Sequence, residues 1–266
     1  MQHLFESWQA LSADIRAAPH LLLLSDYDGT LTPIVGRPSE AILSSGVREK
    51  LGALAQRPAA SVGIISGRSL SELRSMVDIE GIYYAGNHGL EIEGPGLRFV
   101  SQPAETGRAT IEDLACQLSS ALAGIPGVIV EDKGLSLSVH YRLVKKEMET
   151  RVADIFRQVT SPQLNEGKIK ITSGKKVWEV RPPIDWHKGK AVEAITREIK
   201  ALLKLEQVLT IYLGDDTTDE DAFRVIHRPQ GWSIFVGEEN AASSAEYYLN
   251  STEEAEELLS RLLDLK

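Results

Sequence analysis

A single cysteine, Cys116, in 266 residues excludes an internal disulfide and fits a reducing compartment. Helix packing is the role expected of it. Long apolar runs are absent too: Leu21–Leu24 falls far short of the ~20 residues that a bilayer span requires. No basic n-region opens the chain, so a soluble cytoplasmic protein is expected. Nor is there a basic excess. The net charge of −9 argues against a nucleic-acid or membrane partner, because phosphate backbones and anionic lipids need a basic face. A small phosphorylated substrate stays open, since its charge can be met locally. Biased and repetitive tracts are missing as well. With 42% hydrophobic and 25% charged residues, the composition is that of a globular protein of one domain or two modest ones.

What is present is concentrated at LLLLSDYDGTLTPI, positions 21–34. Four leucines run into Asp26 and Asp28, followed by Gly29-Thr30. A short apolar run ended by a polar turn reads as a buried strand of a parallel sheet. Ligands of open α/β sheets sit just beyond the carboxyl ends of such strands. Two carboxylates there are costly to desolvate unless a cation offsets them. Mg²⁺, a hard ion that also binds substrate phosphate, suits the position. On its own the segment is also compatible with an ordinary Asp-Gly turn.

The surrounding chain alternates helix and strand. Leu4, Phe5, Trp8, Leu11 and Ile15 predict an entry helix, and Val47, Leu51 and Leu54 a second, capped by Ser44 or Ser45. Strands follow at 61–66 and 82–85, with a capping box Ser69–Glu72 between them and a hairpin over 90–100. After about residue 103 the order becomes α-β-β-α-β-β. There Leu135, Leu137, Val139 and Tyr141 alternate with Ser136, Ser138, His140 and Arg142, predicting a strand with one polar, solvent-facing side. Helix and strand alternate again from Val192, with a strand at 208–213, a helix from Thr218, a strand at 232–236 and a last helix from Ser251. The expected fold is therefore a doubly wound α/β core, residues 1–103 and 184–266, interrupted by a smaller α/β cap at 104–183.

Three further segments carry chemistry. Ile64-Ile65-Ser66-Gly67-Arg68 ends a strand with a hydroxyl and backbone N–H groups ahead of a helix, where phosphate binds readily; Ser66 or Ser69 serving only as a helix cap is the alternative. Lys188 opens a helix, where a cation opposes the helix dipole unless an anion is bound; a solvated surface lysine is the alternative. Residues 214–221 pack five acidic groups behind another buried strand, which favours a metal site while also suiting the following helix.

In order and type, these four segments resemble the haloacid dehalogenase superfamily of phosphotransferases. More narrowly, DYDGTLTPI, ISGRSL, AGNHGLEI, EVRPP, HKGKA and YLGDDTTDEDAF are similar to the trehalose-6-phosphate phosphatase family over nearly the whole chain. The resemblance implies a nucleophilic Asp26 that becomes an aspartyl-phosphate, and Asp28 as general acid/base. It implies Ser66 and Lys188 as phosphate ligands, joined by Thr30, Gly67 and Arg68 around the substrate. Asp26, Asp28 and Asp215 would serve Mg²⁺, with Asp219 acting through water. In the cap, Glu131, Lys133, Arg142, Lys175 and Glu179 match positions that clasp the sugar; a solvated sheet face with cross-strand ion pairs is the alternative.

The activity so implied is Mg²⁺-dependent hydrolysis of trehalose 6-phosphate, with association to a trehalose-phosphate synthase as a further expectation. Hydrolysis of another sugar phosphate, such as sucrose phosphate or mannosylphosphoglycerate, stays open. So do a phosphomutase and a non-catalytic sugar-phosphate sensor, although a pure binder has no need of a nucleophile.

Overall fold

The run of leucines ahead of Asp26 forms β2 (Leu21–Ser25), a strand closed to solvent along its whole length. Alternation sends Leu21 and Leu23 into one hydrophobic cluster and Leu22 and Leu24 into another, so both faces of the sheet are covered. On the first face pack α1 (Trp8–Ala17), α2 (Ser45–Ala55), α3 (Leu70–Val77) and α8 (Thr252–Asp264). On the second pack α6 (Lys188–Leu203) and α7 (Glu220–Phe223). This is the doubly wound arrangement expected.

The computed structural model describes residues 1–238 and 242–265. It divides into two compact units: Met1–Phe99 with the segment from Trp186, and Val100–Asp185. In the first unit β2 lies between β3 (Ala60–Ile65) and β11 (Leu209–Gly214), parallel to both. The sheet extends on one side through β4 (Tyr83–Gly86), β5 (Glu91–Gly94) and β6 (Leu97–Val100). On the other side come β12 (Gly231–Val236), β13 (Tyr247–Leu249) and β1 (Gln2–His3). The register pairs Ser25 with both Ile64 and Leu213, so three neighbouring strands end together at Ser66, Asp26 and Asp215. No helix among the described residues is long and apolar enough to cross a membrane.

Helix starts follow the side chains written for them. Ser44, Ser69 and Ser251 each accept a backbone N–H three residues on, from Val47, Glu72 and Glu254. Elsewhere the structure departs from expectation. The helix anticipated from Thr218 lasts only from Glu220 to Phe223, with Pro229 following soon after and unable to continue a helix. The entry helix begins with a 3₁₀ turn, Leu4–Ser7.

The second unit contains α4 (Gln102–Leu122), β7 (Ile129–Asp132), β8 (Leu137–His140), α5 (Glu149–Asn165), β9 (Lys170–Gly174) and β10 (Val177–Arg181). Its sheet is antiparallel in the order β7-β8-β10-β9. Leu114 and Leu118 of α4, Val152 and Phe156 of α5, and Leu137, Val139 and Val180 of the sheet form one core. Cys116 is exposed, not packed as expected, because Ala115 and Leu118 take the buried stripe of α4. Ser136 and Ser138 are buried, whereas alternation predicted a solvent-facing polar side. Ser138 lies directly between Glu131 of β7 and Glu179 of β10, whose longer side chains flank it on both sides.

Candidate active site

Asp26 leaves β2 with its backbone N–H donating to the Leu213 carbonyl at 2.8 Å, which fixes it beside β11. Asp26 is buried, 6% exposed, and its carboxylate meets Lys188 Nζ at 2.9 Å. Lys188 is the first residue of α6, yet it is buried and points inward, with Nζ also 2.7 Å from Asp219 Oδ1. The solvated-lysine alternative therefore does not hold. Burial drags on the Lys188 ammonium, but Asp219 and Asp26 outweigh it and hold its pKa well above the ordinary value. Burial pushes the Asp26 carboxyl well above the usual carboxylate range; Lys188 opposes this, while Asp219, Asp215 and Asp216 add to it. Despite burial, Lys188 and two hydrogen bonds from Thr218, both 2.7 Å, hold Asp216 below that range.

Asp219 is closed to solvent and its acceptors are taken. Oδ1 receives Lys188 and the Tyr212 hydroxyl at 2.6 Å, while Oδ2 receives the backbone N–H groups of Asp215 and Asp216 at 3.1 Å. It therefore clamps the start of the acidic loop and orients Lys188. Asp26, Asp215 and Asp219 each place an oxygen within 4.8 Å of the others, a donor set suited to a hard divalent cation. Thr30 approaches the same group, its hydroxyl donating to Asp215 Oδ1 at 3.4 Å.

Gly29 makes this proximity feasible. Its backbone is left-handed, φ +87°, and a Cβ there would fall on the Asp215 carboxylate. Gly29→Ala is expected to combine backbone strain with displacement of Asp215, lowering turnover at least ~100-fold and costing about 1–3 kcal/mol of stability. Phosphate release and a thermal melt check both effects.

Ser66 and Gly67 form the turn beyond β3. Since Ser69 caps α3, Ser66 is released from that role, and its hydroxyl oxygen instead accepts the Arg68 backbone N–H at 3.2 Å. The turn is laced to a second one, with Asn87 N–H donating to Arg68 O at 2.7 Å and His88 N–H to Ser66 O at 2.9 Å. Asn87 and His88 are both left-handed, φ 51° and 56°, and the His88 ring lies where a Gly67 Cβ would be, 2.8 Å away. His88 was not singled out from the sequence, although its place in AGNHGLEI between two glycines was a signal.

Asp28 is not among the three converging carboxylates. Both of its oxygens are engaged by Arg68, Nε to Oδ2 and Nη2 to Oδ1, each at 2.7 Å.

In the second unit, Glu131, Lys133 and Glu179 come together around Ser138. Lys133 Nζ lies 4.0 Å from Glu131 and 3.9 Å from Glu179, while His140 Nε2 is 2.9 Å from Glu131. Alternation along β8 places His140 on the polar side, but nothing local in the sequence marks it as a partner of Glu131. Arg142 and Lys175 sit elsewhere, at the hairpin end: Arg142 donates to the Lys175 carbonyl at 3.0 Å, four residues or ~13 Å along from Ser138.

A family model described as trehalose-phosphatase matches residues 24–253. Trehalose-phosphate phosphatase B of Arabidopsis thaliana is 36% identical over 92% of this chain and 67% of its own length. A probable trehalose-phosphate phosphatase 4 of Oryza sativa subsp. japonica is 37% identical over 92% of this chain and 66% of its own. The solved C-terminal domain of the C. albicans trehalose-6-phosphate phosphatase superposes with a TM-score of 0.81 at 26% identity, covering 97% of each chain. The strand that ends at Asp26, the buried Lys188 and the acidic loop all lie inside the matched span, and the chain belongs to the trehalose-phosphatase family.

Proposed function

We propose that this chain hydrolyses trehalose 6-phosphate to trehalose and phosphate through an aspartyl-phosphate on Asp26. The observation that carries the reading is the buried Asp26 carboxylate held 2.9 Å from Lys188 at the edge of an acidic loop. An Asp26 oxygen attacks phosphorus, a new P–O bond forms and the bond to the sugar oxygen breaks. Asp28 gives its proton to the departing alkoxide, then accepts one from the water that attacks the aspartyl-phosphate. Lys188 offsets charge on the transferring phosphoryl group, and Ser66, Gly67 and Thr30 line the turns that receive it.

Asp26 and Asp215 would hold Mg²⁺, with Asp219 acting on it through water because its own oxygens are engaged. The fit is good, since burial, with the neighbouring carboxylates adding to it, raises the Asp26 pKa, and a hard cation offsets both effects. Bound there, the ion supplies positive charge that lets a carboxylate approach a phosphate dianion.

A phosphate-release screen over sugar phosphates, with Mg²⁺ and with a chelator, tests the reading. Trehalose 6-phosphate is expected to lead the panel, and only with Mg²⁺. Another sugar phosphate outperforming it overturns the named substrate; no release from any ester overturns the hydrolase.

For the sugar we propose the second unit's polar face: Glu131, Lys133 and Glu179, with Arg142 and Lys175 at its margin. Carboxylates interleaved with a cation match hydroxyls that both donate and accept. Glu131→Ala or Glu179→Ala should lower kcat/KM on trehalose 6-phosphate about ten- to over a hundredfold, corresponding to ~1.5–3 kcal/mol per charged hydrogen bond. An aryl phosphate, which has no sugar to contact, should lose only a few-fold. Lys175→Ala is the contrast and should discriminate less. Equal losses on both esters would assign the two glutamates to folding.

A further inference from the structure

Arg68 was expected to bind substrate, but its guanidinium has no donor left to offer. An arginine carries five N–H groups. Here Nε and one Nη2 hydrogen go to the two Asp28 oxygens at 2.7 Å, and the other Nη2 hydrogen goes to the Pro38 carbonyl, also at 2.7 Å. Nη1 supplies Glu72 Oε1 at 2.6 Å and Met76 Sδ at 3.2 Å. The side chain is 5% exposed and its plane approaches the Tyr27 ring at 5.4 Å. The Asp28 side chain, by contrast, is 40% exposed. A buried, saturated cation gripping a half-open carboxylate in parallel is built to orient that carboxylate.

We infer that Arg68 is a positioning residue for Asp28: its fork fixes the rotamer from which Asp28 delivers a proton to the leaving oxygen, and it contacts neither phosphate nor sugar. The anchor is itself anchored. Glu72 and Met76 lie on α3, so the helix capped by Ser69 sets where Arg68 sits, and the Pro38 carbonyl ties in the loop that follows Asp28. A bidentate grip constrains direction as well as distance, and proton transfer to an alkoxide requires both. This inference rests on the acid/base role proposed for Asp28.

Leaving groups separate orientation of the acid from binding of phosphate. A sugar alkoxide needs a proton to depart, whereas p-nitrophenolate leaves without one; both esters present the same phosphoryl group. The ratio of kcat/KM on trehalose 6-phosphate to that on p-nitrophenyl phosphate, which covers steps only through the first departure, therefore separates proton delivery to the leaving group from binding of phosphate. Asp28→Asn should depress this ratio at least 100-fold. Arg68→Gln should depress it at least tenfold, and Arg68→Lys, which keeps the charge but loses the fork, by an intermediate amount. Glu72→Gln, milder for folding, should depress it about threefold.

Parallel losses on both esters in the Arg68 and Glu72 variants, with Asp28→Asn still discriminating, overturn the inference and return Arg68 to phosphate binding or to folding. If Asp28→Asn itself leaves the ratio unchanged, the acid role of Asp28 falls and the inference falls with it. Thermal melts on the same samples exclude unfolded protein from the comparison.

Discussion

Asp26→Asn is expected to abolish turnover, with a loss of more than ~10⁴-fold, while the protein remains folded and becomes more stable. The amide matches the carboxylate in shape but cannot attack phosphorus. The stability gain follows from the direction of the pKa shift. Burial and the neighbouring acids raise the Asp26 carboxyl in the folded state, so ionising it in place costs more than ionising it in the unfolded chain. That cost operates only where the unfolded Asp26 has lost its proton. Without Mg²⁺ the variant should therefore be more stable at neutral pH, and the gain should shrink toward zero only as pH falls well below ~4, where the unfolded Asp26 is protonated as well. With Mg²⁺ present the comparison should reverse, because the wild type then gains binding energy that the amide gives up. Melting temperatures over a pH series, with and without the ion, decide this. A variant with turnover above about one per cent of wild type would sink the covalent mechanism.

The sequence makes β2, β3 and β11 legible because a fully buried parallel strand must be apolar throughout, and each of these runs stops abruptly at the polar turn that carries chemistry. Sheet adjacency then assembles the site, since strands that neighbour one another deliver Ser66, Asp26 and Asp215 to one edge. What stayed hidden depends on distant pairing. Tyr212 looks like one more core residue of β11, yet its hydroxyl reaches Asp219 seven positions later at 2.6 Å. Arg68 stands beside a phosphate-type turn and is drawn instead to Asp28, forty positions away, by five donors that all find protein acceptors or sulfur. Neither pairing has a local signature.

Short elements were similarly unreadable. β1 has two residues and gains its identity only by pairing with β13, itself three residues long. Neither is long enough for alternation to register. In the second unit, alternation along β8 correctly separated Leu137 and Val139 from Ser138 and His140. It could not say that Ser138 would be flanked by two glutamates, because that depends on the register of three strands.

Lys188→Met should be the most damaging single change to stability in the core unit. A lysine merely solvated at a helix start would oppose the helix dipole, and its removal would leave stability unchanged or slightly higher. The buried Lys188 predicts the opposite sign. Its ammonium is the shared partner of Asp26 and Asp219, at 2.9 and 2.7 Å, and methionine of similar length fills the space without the charge. Asp219 would retain the Tyr212 hydroxyl and two backbone N–H groups, but Asp26 would keep a buried charge facing other carboxylates. Breaking a buried pair by removing one partner costs about 3–5 kcal/mol, here reduced by whatever proton Asp26 takes up in response. Because the acids hold the Lys188 pKa well above its ordinary value, the lysine is charged across the neutral range; without it the Asp26 pKa rises further, so the loss should grow with pH and shrink as pH falls and Asp26 of the variant takes up a proton. Added Mg²⁺ should recover part of the stability, since a cation beside Asp26 and Asp215 replaces some of the missing charge, yet little of the turnover. In the proposed mechanism Lys188 would act on the phosphoryl group itself, a contribution of about 10²–10³-fold in kcat that an ion on the carboxylate side would not supply. A melt that rises on substitution would overturn the stabilising role of the Lys188 pairs, and turnover that Mg²⁺ restores in full would remove Lys188 from the reaction.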